Sequence, residues 1–116
     1  MNSQSQERRR FLRIPENLPV TYELLLNAKT EQCHTKDISQ EGIRFFIDNL
    51  VPKYSLLKIK LNLDKPSLSF DALVRVVWIK KTPQNDKYEV GVEFISAPKA
   101  ATEHLIKYIR SNLKKN

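Results

Sequence analysis

Cysteine is nearly missing from this chain: Cys33 is the one thiol among 116 residues. That excludes an internal disulfide and the stapled scaffolds of small secreted domains, and predicts a soluble protein of a reducing, cytoplasmic compartment. Glycine is almost as scarce. Gly42 and Gly91 are the only two, so each can be read singly. No apolar run approaches the roughly 20 residues of a membrane span. The N-terminal arginines have no apolar segment behind them, which is not a signal-peptide pattern. His34 and His104 are the only histidines, and no metal-ligand spacing surrounds them. Cys33 beside His34 lacks a third group, and alternation along a strand gives no reason to bring His34 onto Ser39 as in a triad. The carboxylates form no paired constellation. No catalytic residue, metal ligand or cofactor site is therefore assigned, and an enzyme is not expected.

The length suits one domain with one small core. Charge is informative by position. The net charge is +7, yet from Ile14 to Ile106 there are 12 basic and 12 acidic residues. The excess sits at the ends: Arg8, Arg9, Arg10 and Arg13 against Glu7, then Lys107, Arg110, Lys114 and Lys115 with no acid. The late cations suit a helix C-terminus. A neutral body with a dense arginine arm fits a small anion better than long nucleic acid, which is tracked by a basic face.

After the polar first residues and the arm, the hydrophobic period becomes two. Leu18, Val20, Tyr22, Leu24 and Leu26 mark one strand. Residues 27 to 31 read as a turn, and Cys33 and Thr35 as a second, weaker strand. Ile43, Phe45 and Ile47 mark a third. Leu57, Ile59, Leu61 and Leu63 alternate with polar residues, giving a strand with one wet and one dry face. Residues 68 to 80 form a long strand with Phe70, Ala72, Val74, Val76 and Trp78 on one face and Leu73, Arg75, Val77 and Ile79 on the other. Thr82 to Asp86 is a loop, and Tyr88 to Ile95 the last strand. Ala101, Leu105, Ile109 and Leu113, with Tyr108, then give an amphipathic helix of about four turns over about 97–114. The expected architecture is mainly β: a six-stranded antiparallel barrel of split-barrel type (residues 14–116) with a C-terminal helix, preceded by a flexible basic arm (residues 1–13).

Two short patterns carry chemistry. Arg9 and Arg13 form RxxxR; Arg8 and Arg10 do not, since Leu12 and Ile14 stand four residues after them. Asp37, Ser39 and Gly42 form DxSxxG. Arginine offers charge, a two-donor fork and a flat stacking surface. It can grip phosphate or read guanine O6 and N7. Asp37 can accept from the donor edge of a base, and Ser39 can donate or accept. Gly42, after an Asp-x-Ser turn and before a strand, is expected to adopt a positive φ. Gly91 lies inside a strand, where glycine marks a bulge or a close approach. Alone, an arginine arm is a generic anion-attracting tail and Asp-x-Ser an ordinary turn. Here both occur once, in this order, one predicted strand apart, and are followed by the strands Val-Arg-Val-Val-Trp78 and Tyr-Glu-Val-Gly-Val-Glu-Phe94.

With these features, over roughly residues 8 to 110, the chain resembles the PilZ domain, the bacterial receptor module for cyclic di-GMP, and the binding class of that family. The resemblance implies a six-stranded barrel with a helical end. It implies that Arg9 and Arg13 grip phosphates and guanines, and that Asp37 and Ser39 hold a guanine with Gly42 shaping the turn. Arg8, from its place before the motif, would stack on a second, intercalated ligand molecule. Arg10 and Trp78 are further candidate contacts, although a lone tryptophan at strand spacing is more often core. The expected mechanism is ligand-driven ordering of the arm, which then signals in trans to a protein effector that the sequence does not identify. Two other readings are a small barrel that binds single-stranded nucleic acid, against which the scattered aromatics and neutral body argue, and a protein-interaction scaffold with no nucleotide ligand.

Overall fold

The computed structural model describes residues 12–25, 28–63 and 69–114. Among these described residues, seven strands and one helix follow in chain order: β1 Ile14–Pro15, β2 Pro19–Leu24, β3 Lys29–Ile38, β4 Gly42–Ile47, β5 Leu56–Asn62, β6 Ser69–Lys81, β7 Tyr88–Ser96 and α1 Lys99–Lys114. Every pairing is antiparallel. The order β2-β5-β6-β7-β4 closes on itself through β3, which pairs with β2 and β4. Six strands thus make the expected closed barrel. The two-residue β1 is an addition, set against the end of β3 through Ile14 opposite Ile38 and Pro15 opposite Asp37.

Period-two patterning decides what lies inside. β5 alternates as read from sequence, with Leu57, Ile59 and Leu61 buried and Lys58 and Lys60 exposed. Val20, Tyr22, Ile43, Phe45, Phe70, Val74, Val76, Val90 and Val92 complete the interior. Phe70 meets Phe94 edge-on at 5.2 Å, and Tyr22 lies 5.7 Å from Phe45. Full burial of one such side chain contributes about 2–3 kcal/mol, so Phe70→Ala is the type of change that empties the core most. The helix starts after Pro98, whose carbonyl accepts from the Thr102 amide at 3.1 Å. Leu105 and Ile109 are buried beneath it, with Ala101, Tyr108 and Leu113 packed alongside.

Four details depart from the sequence reading. The strand expected to be weak, β3, runs ten residues. Its polar sequence hides it, but β2, β1 and β4 all supply backbone partners. The first strand ends at Leu24, and Leu26 lies outside the described residues. Gly42 does not have a positive φ; its requirement is spatial, since a Cβ there would lie 2.0 Å from the Val92 carbonyl oxygen. Finally, β6 is irregular between Val76 and Trp78 against β7. Val77 is the extra residue of a bulge, which reverses the faces beyond it. Ile79 turns inward against the core, and Trp78 leaves the row of Val74 and Val76 for the outer face.

Candidate functional site

The site is built from the backbone outward. Residues 39 to 42 form the tight connection between β3 and β4: the Ser39 amide donates to the Gly42 carbonyl at 2.9 Å. The Ser39 side chain is fully buried. Its hydroxyl donates to the Gly42 carbonyl at 3.2 Å and accepts from the amides of Glu41 and Gly42 at 3.2 and 3.3 Å. Ser39 and Gly42 therefore work together: one ties the turn from within, the other lets the Val92 carbonyl approach. Closing the turn pairs Ile38 with Ile43 and Asp37 with Arg44.

Asp37 belongs to the outer face yet is only 5% exposed. Two arginines cover it. Arg13 Nη1 donates to Oδ1 at 2.7 Å. Arg44 donates to Oδ2 from Nε at 2.6 Å and from Nη2. The hydrogen bond to Asp37 holds the Arg44 guanidinium above its ordinary pKa. Arg13 is delivered to this point by its own neighbours. Ile14 is buried beside Ile38, and Thr35, buried below, donates to the Glu16 carbonyl and accepts from the Leu18 amide. Glu16 in turn accepts from the Tyr108 hydroxyl of α1 at 2.9 Å.

The same row of the sheet continues past Arg44. Arg44 lies opposite Gly91, and Gly91 opposite Trp78. The indole stands where a side chain at 91 would be, 2.4 Å from an added Cβ. Trp78 is therefore half-buried surface rather than core, with Lys80 Nζ 5.9 Å from its ring centre. One row further, buried Glu89 accepts from Lys36 Nζ at 3.3 Å and lies 3.7 Å from Arg44 Nη1.

Of the residues singled out from sequence, Arg13, Asp37, Ser39, Gly42 and Trp78 come together on this face. Arg8, Arg9 and Arg10 lie outside the described residues. Arg44, Glu89 and Lys36 escaped the sequence reading. Arg44 had a usable signal: a turn over 39–42 places residue 44 opposite residue 37 on the wet side of the next strand. Glu89 had none, because its approach depends on the β4–β7 register. The histidines are both exposed. Cys33 is half-buried, and burial raises its thiol pKa to about 12. A groove of about 880 Å³ opens elsewhere, lined by Thr21, Lys58, Lys60 and Asp71 of β2, β5 and β6; it does not adjoin the acid and its arginines. Among the described residues no helix is long and apolar enough to cross a membrane.

The structure is thus of the small β-barrel class: a closed six-stranded barrel with a terminal helix, carrying an arginine-capped aspartate on a Ser-Gly turn of its outer face. The family model of the PilZ domain matches residues 7–111, and the chain belongs to that family. Its fold is similar to that of the Bacillus subtilis inhibitor of motility MotI/DgrA (21% identity, TM-score 0.79), with 94% of this chain and 53% of that one covered. YcgR of Escherichia coli in complex with c-di-GMP is similar over 93% of this chain and 47% of its own (16% identity, TM-score 0.77). PlzA of Borreliella burgdorferi, also in complex with c-di-GMP, is similar over 98% of this chain and 56% of its own (16% identity, TM-score 0.62). The chain thus spans about half the length of these proteins. No curated protein sequence matches it.

Proposed function

We propose that this chain is a receptor for cyclic di-GMP, and that Asp37, Arg13 and Arg9 are its principal contacts. The observation that supports this best is the pairing of Arg13 with Asp37 at 2.7 Å. It joins the end of RxxxR to the start of DxSxxG on one face of a PilZ barrel. Asp37 would accept from the donor edge of a guanine, and Arg9 and Arg13 would grip the phosphates and guanines. Ser39 and Gly42 would act by holding the turn that presents Asp37. The half-buried Trp78 ring, in the same row as Arg44 and two strands across, offers a flat face for a base. Arg8 would stack on a second ligand molecule, and Arg10 adds charge.

The energetics are adequate. Each charge-assisted hydrogen bond contributes about 1.5–3 kcal/mol net. Several, with stacking, offset the cost of ordering an arm and leave affinity of about micromolar or better. Residues 1–13 would be fixed over the ligand and offered, with the adjoining barrel surface, to a protein effector in trans. Isothermal titration of the protein with cyclic di-GMP, GTP and a short single-stranded RNA tests the reading. Saturable binding of cyclic di-GMP alone is expected, and a stoichiometry of two would assign Arg8 its stacking role. Folded protein that gives no heat with cyclic di-GMP would overturn the proposal. RNA binding with a steep salt dependence would replace it with a nucleic-acid module.

A further inference from the structure

Arg44 lies between two buried carboxylates. Its Nε and Nη2 both donate to Oδ2 of Asp37, and its Nη1 is 3.7 Å from Oε2 of Glu89. A carboxylate oxygen accepts about two hydrogen bonds. Oδ2 of Asp37 is therefore filled by Arg44 alone, while Oδ1, with Arg13, keeps one site. A guanine edge offers two parallel donors, one to each oxygen of a carboxylate. It can seat on Asp37 only if Arg44 releases Oδ2. The Arg44 side chain is two-thirds covered, so a released guanidinium is only partly hydrated and gains from a second acceptor within reach. Glu89 is 4% exposed and the nearest candidate. Lys36 of β3 reaches it at 3.3 Å, and Lys80 is its register partner on β6.

We infer that Glu89 is a positioning residue of the ligand site: it receives Arg44 when a guanine edge takes Asp37. The inference rests on the receptor reading above and adds to it a residue outside both motifs. Arg44 then needs only to tilt between two acids, and it stays near the ligand's phosphates as a cation. Without Glu89 the guanidinium has Asp37 as its single acid partner among these groups, and the ligand must displace it with no second carboxylate of the barrel to receive it.

The sign of one substitution separates this from simple charge effects. Glu89→Gln removes a negative charge near a dianion's site, so Coulomb attraction alone predicts tighter binding. The positioning role predicts weaker binding, by about five- to tenfold, within the usual range of coupling between sites. Cyclic di-GMP is titrated into wild type, Glu89→Gln, Arg44→Gln and the double variant at two salt concentrations. The expected result is a loss in Glu89→Gln that persists at high salt and vanishes in the Arg44→Gln background. Equal or tighter binding by Glu89→Gln, or the same loss in both backgrounds, overturns the inference while leaving the receptor reading intact. Absence of binding by wild type overturns the receptor reading itself and the inference with it. If Glu89→Gln fails to fold, the side-chain Nε–H resonance of Arg44 in wild type decides. A shift on saturation with cyclic di-GMP is expected, and an unmoved resonance overturns the inference.

Discussion

The indole of Trp78 occupies the space above Gly91, its cross-strand partner, so closely that a Cβ at position 91 would lie 2.4 Å from the ring. The aromatic covers a stretch of backbone that would otherwise weaken the β6–β7 pairing. Gly91→Ala must therefore push the ring aside. The expected cost is about 1–3 kcal/mol, as for other overpacking changes. Since this is the one tryptophan, its emission reports the displacement directly: a red shift together with a lower melting temperature. An unshifted spectrum would mean that the two residues are not in register.

Gly42 tests a different constraint. Its φ is not positive, so the usual ranking, in which asparagine replaces glycine better than alanine does, should fail here. Both Gly42→Ala and Gly42→Asn drive a Cβ onto the Val92 carbonyl, which is backbone and cannot swing away. Each should destabilise by more than about 2 kcal/mol, at the severe end of single substitutions, with asparagine no better than alanine. Chemical denaturation of the three proteins checks the order.

The barrel was legible because its evidence is local. Leu57, Ile59 and Leu61 announce their strand by alternation, and Leu105 and Ile109 their helix by spacing. The site was legible only where a motif marks it. Asp37 and Arg13 are separated in sequence but joined by a pairing of two residues, Ile14 and Pro15, too short to carry a pattern of its own. Trp78 was misplaced for a definite reason: one extra residue, Val77, inverts every later face of β6, and nothing in Val-Arg-Val-Val-Trp marks where the bulge falls. Glu89 and Lys36 reached the site by register alone, and register is decided by the closure of the whole barrel rather than by any one strand.

Arg13 and Asp37 should separate binding from folding to different degrees. The Arg13 side chain is about one-third exposed, and ion pairs of that kind contribute at most about 1 kcal/mol. Arg13→Ala should melt close to wild type and lose most affinity for cyclic di-GMP. Asp37→Asn leaves two arginines facing a neutral amide and breaks the link between β3 and Arg44, so it should lower both affinity and melting temperature. Titration calorimetry and thermal unfolding on the same samples distinguish the two. A normal melt with unchanged affinity in Arg13→Ala would remove that residue from the site.

Alkaline pH should report on the half-buried Cys33 thiol and the buried Tyr22 phenol. Burial raises Cys33 from 9.0 to about 12 and Tyr22 from 10.0 to about 12. Well below pH 9 both groups are almost wholly protonated whether the chain is folded or not, and stability hardly depends on them. Above it the unfolded chain releases these protons first, so it binds fewer than the folded state and stability falls with rising pH. The decline runs from about pH 9 until the folded-state values near 12 are passed. Every other titratable group is common to wild type and to a Cys33→Ala/Tyr22→Phe double variant, so the difference between the two isolates these two groups. Substitution lowers stability at pH 7 through lost packing, yet the variant's melting temperature should fall less steeply between pH 9 and 11. At pH 8 the wild-type thiol should react with iodoacetamide far more slowly than in the unfolded chain, because it remains protonated and half-covered. Parallel pH profiles, or rapid alkylation of the folded protein, would mean that the Cys33 thiol is not shielded by the barrel.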